Sequence, residues 1–391
     1  MKNLTLRYSI TQFTFWAAST GATSFATTYL LDKGVPASTV GLMLALAGLI
    51  SCLTQPVLAA FVDQAEHFLL TKMLLMFSAL CCICFSLQLV SGLPLMLTAI
   101  FYMIGVWSSD VMVPLLNALS VACNGAGYSI NYGAARGIGS AASAISSLAV
   151  GFIIAKLGAI WMLLFLLIAR ICCIFTLVSY PRIHKAVSVR IGKQESCSIL
   201  QFFSRYRWYC ISLLGIAFFG MFLAMMENYL IAIMGALGGD SSHVGIALFI
   251  SSMVASPVIF FFSKVRARFK DTSLLKIAAV SFLIRSVCLY FAKDITTIYF
   301  LQLLHITSYG FMHPAQVYYA NAKVSSTDMV KGQAFITAAY ALGCSAGNFV
   351  GGQLLNLGVE AILIAGIVMA GIGTLIVFAT VTRSDTAGGG A

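Results

Sequence analysis

Of the ionisable side chains inside long apolar runs of this 391-residue chain, five are the strongest candidates for chemistry: Asp110, Arg136, Glu227, Arg285 and His305. A charge placed in hydrocarbon is costly, so such residues usually face a wet cavity or pair with one another. Two kinds of chemistry suit them. A carboxylate or imidazole balanced between desolvation and a neighbouring charge can take up and release a proton. A guanidinium offers a planar fork of donors that fits vicinal hydroxyls or a carboxylate. Both are reversible binding events.

Arg136 has Tyr132 one helical turn earlier on the same face, with Asn131 and Tyr128 beyond it. The alternative for Arg136 is a structural ion pair with Asp110. Glu227 is followed directly by Asn228 and Tyr229, and its alternative role is a permanent salt bridge to Arg285. His305 and His313 lie eight residues apart on nearly one face, with Tyr309 between them, which reads as a proton relay or as packing. Thr20, Thr23, Ser24, Thr27 and Thr28 recur at three- and four-residue steps. Such a stripe can line a cavity or bond to its own backbone. Tyr229, Tyr309, Tyr318 and Tyr340 suit stacking on a sugar or nucleobase face. Arg170 is near enough to the end of its apolar run to snorkel.

The elements that position these residues follow from composition. The chain is 60% apolar and only 9% charged, against about a quarter charged in a soluble domain. Lipid must solvate much of its surface. Apolar runs of bilayer-spanning length fall near 10–31, 40–62, 70–91, 95–122, 129–155 and 158–179, then near 208–235, 244–263, 274–292, 297–321, 332–355 and 359–381. None alternates in polarity as a β-barrel strand would. The expected organisation is a six-helix bundle over 1–180, a basic linker over 181–207, a second six-helix bundle over 208–382 and a tail over 383–391. Most of the 23 Lys and Arg residues fall on the side of the termini and linker. The opposite loops hold only Lys33, Lys156 and Lys293, so the positive-inside rule puts both termini in the cytoplasm. No small-residue cleavage site follows the first run, which reads as a retained span.

The halves echo each other. Tyr29-Leu30-Leu31 is matched to Tyr229-Leu230-Ile231, Val40-Gly41 to Val244-Gly245, Pro56 to Pro257, Pro114 to Pro314 and Gly133 to Gly332. Two six-span halves related as parallel repeats describe the major facilitator architecture, with twelve transmembrane helices in two pseudo-symmetric bundles and a substrate site near the midplane. Arg136 corresponds to Phe335 in the second half, so the repeat itself does not demand that charge. Gly139, Ser143, Ser147 and Gly151, like Gly343, Gly347 and Gly351, are spaced for close helix approach.

Several segments resemble the lactose permease branch of the major facilitator superfamily, which contains oligosaccharide and nucleoside proton symporters. Tyr132-Gly133-Ala134-Ala135-Arg136-Gly137-Ile138-Gly139 resembles the fifth-span motif whose arginine binds sugar hydroxyls. Gln55-Pro56 with Asp63 resembles the second span and its cytoplasmic gate. Leu301-Gln302-Leu303-Leu304-His305 resembles the tenth span, and Arg285 falls where the ninth span carries an arginine. The residues and the resemblance together give an expected substrate site at Arg136, Asn117, Tyr132, Asp110, Asn228, Tyr229 and Tyr309. The expected proton-coupling residues are Glu227, His305, Arg285 and Asp110, and the resemblance implies a cytoplasmic gate at Asp63. This chain departs from the permease at Asn117, where a glutamate is expected, at Ser308 in place of a carboxylate, at Gln302 in place of a lysine, and at Ser143 in place of the aromatic sugar platform.

No P-loop or other enzyme signature is present, so ATP hydrolysis is not expected to drive the protein. The eleven cysteines form no CxxC pair or His/Cys cluster with ligand spacing, and neither metal nor cofactor is expected. The net charge of +11 lies in short loops and reads as topology rather than as a nucleic-acid surface. The expected function is proton-coupled symport of a small polar solute, a saccharide first and a nucleoside next. The expected setting is a bacterial cytoplasmic membrane, with the chain a working monomer. The rivals are a drug or sugar exporter of the same superfamily and a non-transporting receptor or scaffold.

Overall fold

Long runs without acidic or basic residues leave the backbone no partner in lipid but itself, and helices result. The computed structural model describes residues 4–64, 67–180 and 198–383, the side chains of 59–69 excepted, and every regular element among the described residues is helical. The elements are α1 (Leu4–Ser24), α2 (Ala26–Asp32), α3 (Ala37–Gln64), α4 (His67–Leu87), α5 (Leu95–Gly125), α6 (Tyr132–Leu157), α7 (Ala159–Val178), α8 (Ile199–Arg205) and α9 (Arg207–Asn228). They continue as α10 (Leu230–Ala236), α11 (Ser241–Phe260), α12 (Phe262–Arg266), α13 (Asp271–Tyr290), α14 (Ile295–Gln302), a 3-10 turn (Leu303–His305), α15 (Tyr309–Lys323), α16 (Met329–Leu355) and α17 (Val359–Thr380).

Ten of the described helices are long and apolar enough to cross a membrane. The other two expected spans, the first and the tenth, are interrupted helices: the first breaks at Phe25, the tenth between His305 and Tyr309. The seventh span also breaks, at Tyr229. Prolines 56, 114, 257 and 314 all sit within helices. That is tolerated where neighbouring helices satisfy the freed backbone groups.

Backbone angles give the internal repeat its register. Phe25 (φ −111°, ψ 13°) and Tyr229 (φ −103°, ψ 14°) occupy equivalent breaks. Gly158 and Gly358, at φ 100° and 108°, open the last helix of each half, in a left-handed conformation that suits glycine. The expected match of Tyr29–Leu31 to Tyr229–Ile231 is therefore not the structural one. Phe25 holds the position of Tyr229, and Tyr29 lies inside α2. A three-residue apolar match is weak beside a shared backbone break.

The chain forms two compact units, one of Met1–Val189 with Glu227–Ser252, the other of Arg190–Met226 with Met253–Ala391. In the first, α1 packs on α6 and α7, α4 packs on α5 and α7, and α3 packs on α5. Its core includes Tyr8, Phe15, Leu74, Met112, Leu116 and Cys173. In the second, α13 packs on α15 and α17, Phe219 stacks on Phe282 at 4.8 Å, and the Thr374 hydroxyl donates to the Ala279 carbonyl at 3.0 Å.

The small residues do different jobs. Gly151 and Gly245 meet backbone to backbone: a Cβ on Gly151 would lie 2.6 Å from the Ser241 carbonyl, and one on Gly245 would lie 2.6 Å from the Ser147 carbonyl. Gly343 and Gly347 lie against the backbone of Ala217 and Met221 on α9. Gly139 instead faces a side chain, that of Trp16.

Arg170 does not snorkel. It is 1% exposed, its Nη2 donating to Ser109 at 2.7 Å and Ser19 at 3.1 Å, with Nη1 3.7 Å from the Met112 sulfur and the Phe15 ring beneath at 5.0 Å. Its partners come from α1 and α5, far away in sequence, so distance to the end of its own run misjudges it.

Candidate functional site

In the first unit the site is built along the contact of α1 with α6. Asn131 caps α6, its side chain accepting from the Ala134 N–H at 3.1 Å, so Tyr132 and Arg136 lie one turn apart at the helix start. Arg136 is half-buried. Its guanidinium donates to Ser140 at 3.0 Å and covers the Trp16 ring at 4.3 Å. The Trp16 indole donates to Gln12 at 2.8 Å, Gln12 donates to the Tyr8 hydroxyl at 2.8 Å, and Tyr8 donates to the Leu116 carbonyl at 3.0 Å. This file orients the indole from behind. A cation over an aromatic face is attracted by the ring quadrupole, more so when desolvated.

Tyr132 is exposed and donates to the Asn117 side-chain oxygen at 3.2 Å. Asn117, Tyr132 and Arg136 are thus brought to one wall. Among the described residues no salt bridge joins Arg136 to Asp110, so the structural ion pair considered for them is not formed. Asp110 is half-buried, and its backbone carbonyl accepts from Gln55 at 3.2 Å. Thr20 donates to Ser143 at 2.9 Å, Thr23 bonds back to Ser19, and the buried Thr27 hydroxyl has no hydrogen-bond partner among the described residues. The threonine stripe therefore divides between packing on α6, its own backbone and an unsatisfied group.

Glu227 and Asn228, both half-buried, end α9 directly before the break at Tyr229, whose side chain is fully buried. Asp63 lies on α3, and its side chain is outside the described residues.

The second unit holds Arg285, His305, Tyr309 and His313. Arg285, 2% exposed, donates to the Gln302 side chain at 3.0 Å and lies over the Phe222 ring at 5.7 Å. His305 is buried at the end of the 3-10 turn, beside Arg285. The chain then kinks at Ser308 (φ −80°, ψ −87°), whose hydroxyl donates to the Leu304 carbonyl at 2.7 Å. Gly310 permits this path, since a Cβ there would lie 3.1 Å from the His305 carbonyl. The rings of His305 and Tyr309 are 6.4 Å apart and those of Tyr309 and His313 5.4 Å, an imidazole–phenol–imidazole file. Tyr318 is not part of this file: Arg266 stacks on it at 4.1 Å at the far end of α15.

Sequence reasoning passed over Trp16, Gln12 and Tyr8. A signal was present: Tyr8, Gln12, Trp16 and Thr20 repeat every four residues, one face of a helix.

The fold supports comparison with known proteins. The nucleoside transporter NupG, in a mutant crystal form, is similar over 97% of this chain and 100% of its own, at 14% identity and a TM-score of 0.82. A D-xylose–proton symporter is similar over 98% of each chain at 15% identity, with a TM-score of 0.69. A bacterial homologue of the iron transporter ferroportin matches over 98% of this chain and 100% of its own at 11% identity, with a TM-score of 0.70. No curated protein matches the sequence. The MFS_1 like family profile matches residues 5–363. With a family match over most of its length and the all-helical fold of major facilitator transporters, the chain belongs to the MFS_1 like family.

Proposed function

We propose that this major facilitator transporter carries a small, hydroxyl-rich polar solute, a saccharide or a nucleoside, by proton-coupled symport. The observation that carries the reading is Arg136: a half-buried guanidinium in no ion pair among the described residues, laid on an indole and bordered by Tyr132 and Asn117. Donors held in a fixed plane beside an aromatic face suit a ring bearing neighbouring hydroxyls. The D-xylose–proton symporter and NupG, named for a sugar and for nucleosides, share this fold. The shared fold with NupG, named for nucleosides, keeps the nucleoside as the second reading.

In this reading Glu227, His305, Arg285 and Asp110 serve proton coupling. Asn228, Tyr229 and Tyr309 complete the solute site, and Asp63 belongs to a cytoplasmic gate. Residues 1–180 and 208–382 are the two working bundles joined by the 181–207 linker, with 383–391 as a tail. The termini are cytoplasmic, the host membrane is a bacterial cytoplasmic membrane, and the transporter works as a monomer. The test is a panel of radiolabelled saccharides and nucleosides offered to proteoliposomes under an imposed pH gradient. Accumulation of one such solute, abolished when the gradient is collapsed, is the expected result. Accumulation driven by a sodium gradient instead removes the proton from the scheme.

A further inference from the structure

The turn joining α12 to α13 encloses an open cleft of about 520 Å3, lined chiefly by Arg266, Arg268, Phe269, Lys270, Asp271 and Tyr318. Its charges are unevenly spent. Arg266 is committed twice: Nε and Nη2 donate to the two carboxylate oxygens of Asp271 at 2.9 and 3.3 Å, and the guanidinium lies on the Tyr318 ring at 4.1 Å. That pairing fixes the turn from one end to the other and neutralises the one acid in the cleft. Arg268 and Lys270 are exposed and, among the described residues, in no ion pair. Lys270 is also the residue preceding α13, and its side chain does not cap the helix. The cleft therefore presents two uncommitted cations beside a helix start, which together favour an anion.

A solvated loop has no need of this arrangement, and neither does the repeat. The stretch at the same place in the first half of the sequence, residues 63–72, carries Asp63 and Glu66 and has no Lys or Arg before Lys72. The cations belong to this turn alone. The location points to a membrane ligand. Phe260, 72% exposed, ends the apolar helix α11, Phe261 just after it is 49% exposed, and Phe269 in the turn is 50% exposed. Exposed phenylalanine rings at the end of a span favour the acyl layer, so the charged turn that follows them lies at the depth of phospholipid phosphates.

We propose that the Arg266–Asp271 turn is a binding site for a phosphate group, offered by the headgroup of an anionic phospholipid. The guanidinium of Arg268 and the ammonium of Lys270 hold the phosphate oxygens, Phe269 borders the acyl layer, and the Arg266–Asp271 pair keeps the turn in shape. Each basic residue facing an anionic lipid surface is worth about fivefold in affinity, and the pair together about thirtyfold.

The full chain in neutral detergent provides the test. Its melting temperature is followed during titration with phosphatidylglycerol, with phosphatidylcholine and with inorganic phosphate, for the wild type and for Arg268→Gln/Lys270→Gln. The expected result is a rise with phosphatidylglycerol at a concentration about thirtyfold lower in the wild type than in the double variant, and none with phosphatidylcholine. A rise with inorganic phosphate alone, absent in the double variant, keeps the phosphate site and assigns it to a soluble phosphate compound. Identical responses in wild type and double variant, or none in the wild type, overturn the proposal. Should the double variant fail to fold, Arg268→Lys/Lys270→Arg must keep the wild-type response and Lys270→Gln must lose about fivefold; any other pattern overturns it as well.

Discussion

The Arg136 guanidinium rests on the Trp16 indole at 4.3 Å, and Gln12 holds the indole nitrogen at 2.8 Å from the other side. The guanidinium proposed to meet the solute and the ring beneath it are therefore one mechanical unit contributed by two helices. A charge-assisted hydrogen bond in a dry site is worth roughly 1.5–3 kcal/mol, and lysine keeps the charge but not the planar donors. Arg136→Lys should weaken solute binding about tenfold or more without lowering the amount of folded protein. Gly139→Ala should act on the same site from behind, because its Cβ would sit 2.6 Å from the Trp16 ring. Equilibrium binding of the transported solute checks both. Wild-type affinity in both variants would move the solute site elsewhere.

Coupling is tested at Glu227. If Glu227 carries the proton, a glutamine there leaves the site permanently neutral, so the carrier can still exchange solute across equal concentrations. It cannot return deprotonated, and uphill accumulation should disappear. Uptake and exchange measured on the same proteoliposomes separate the two steps. Undiminished uphill transport in Glu227→Gln would shift the proton to Asp110 or His305.

Arg170 and Ser109 form a buried pair at 2.7 Å. Removing the hydroxyl strands part of a buried cation, whereas replacing the cation by an unbranched apolar side chain removes the need for it. Ser109→Ala alone should lower stability by about 1–3 kcal/mol, and the same change in an Arg170→Met background should cost much less. A double-mutant cycle on the melting transition gives the coupling. Additive costs would show that the hydrogen bond contributes little.

At the contact of α6 with α11 there is no side chain to yield. Gly245→Val places new atoms against the Ser147 carbonyl and the Gly151 backbone, so the helices must separate. Ser147 is 1% exposed. A cysteine introduced there, with reactive native cysteines replaced, should resist thiol reagents alone and react readily alongside Gly245→Val. Equal labelling rates in the two backgrounds would mean that the seam absorbs the bulk elsewhere.

Asp240, in the turn before α11, is held down to about 2, chiefly by the Ser242 hydroxyl and also by His243. A carboxylate lowered in the folded state contributes its stability fully above the ordinary carboxylate value and loses it only as pH falls through about 2. It is charged throughout the range in which uptake is assayed. Asp240→Asn should leave the shape of the uptake profile unchanged between about pH 5 and pH 8. A displaced profile in that variant would bring Asp240 into the coupling scheme.

The spans were legible because lipid demands long apolar runs, and Arg136 because a charge inside one is conspicuous. The breaks were not. Phe25 and Tyr229 are bulky residues with no turn propensity, and Ser308 gives no warning of its kink. Tertiary packing holds them there. A lone tryptophan in a span, such as Trp16, does not show in sequence which helix it will meet. Only the folded contact with α6 turns it towards Arg136. Arg170 was misplaced for a related reason: Ser19 and Ser109 are ordinary serines until α1, α5 and α7 meet.

The burial of Arg170 also bears on how the protein is made. Outside its bundle, α7 is a strongly apolar helix with one guanidinium near its middle, a burden of roughly 2.5–3.5 kcal/mol for a helix entering the bilayer alone. The hydroxyls that relieve it belong to α1 and α5, both synthesised earlier. Full relief of that cost requires α1 and α5 to be in place beside α7, which ties the settling of the sixth span to helices made before it. A nascent chain truncated after Val178 has everything α7 requires, whereas one lacking α1 does not.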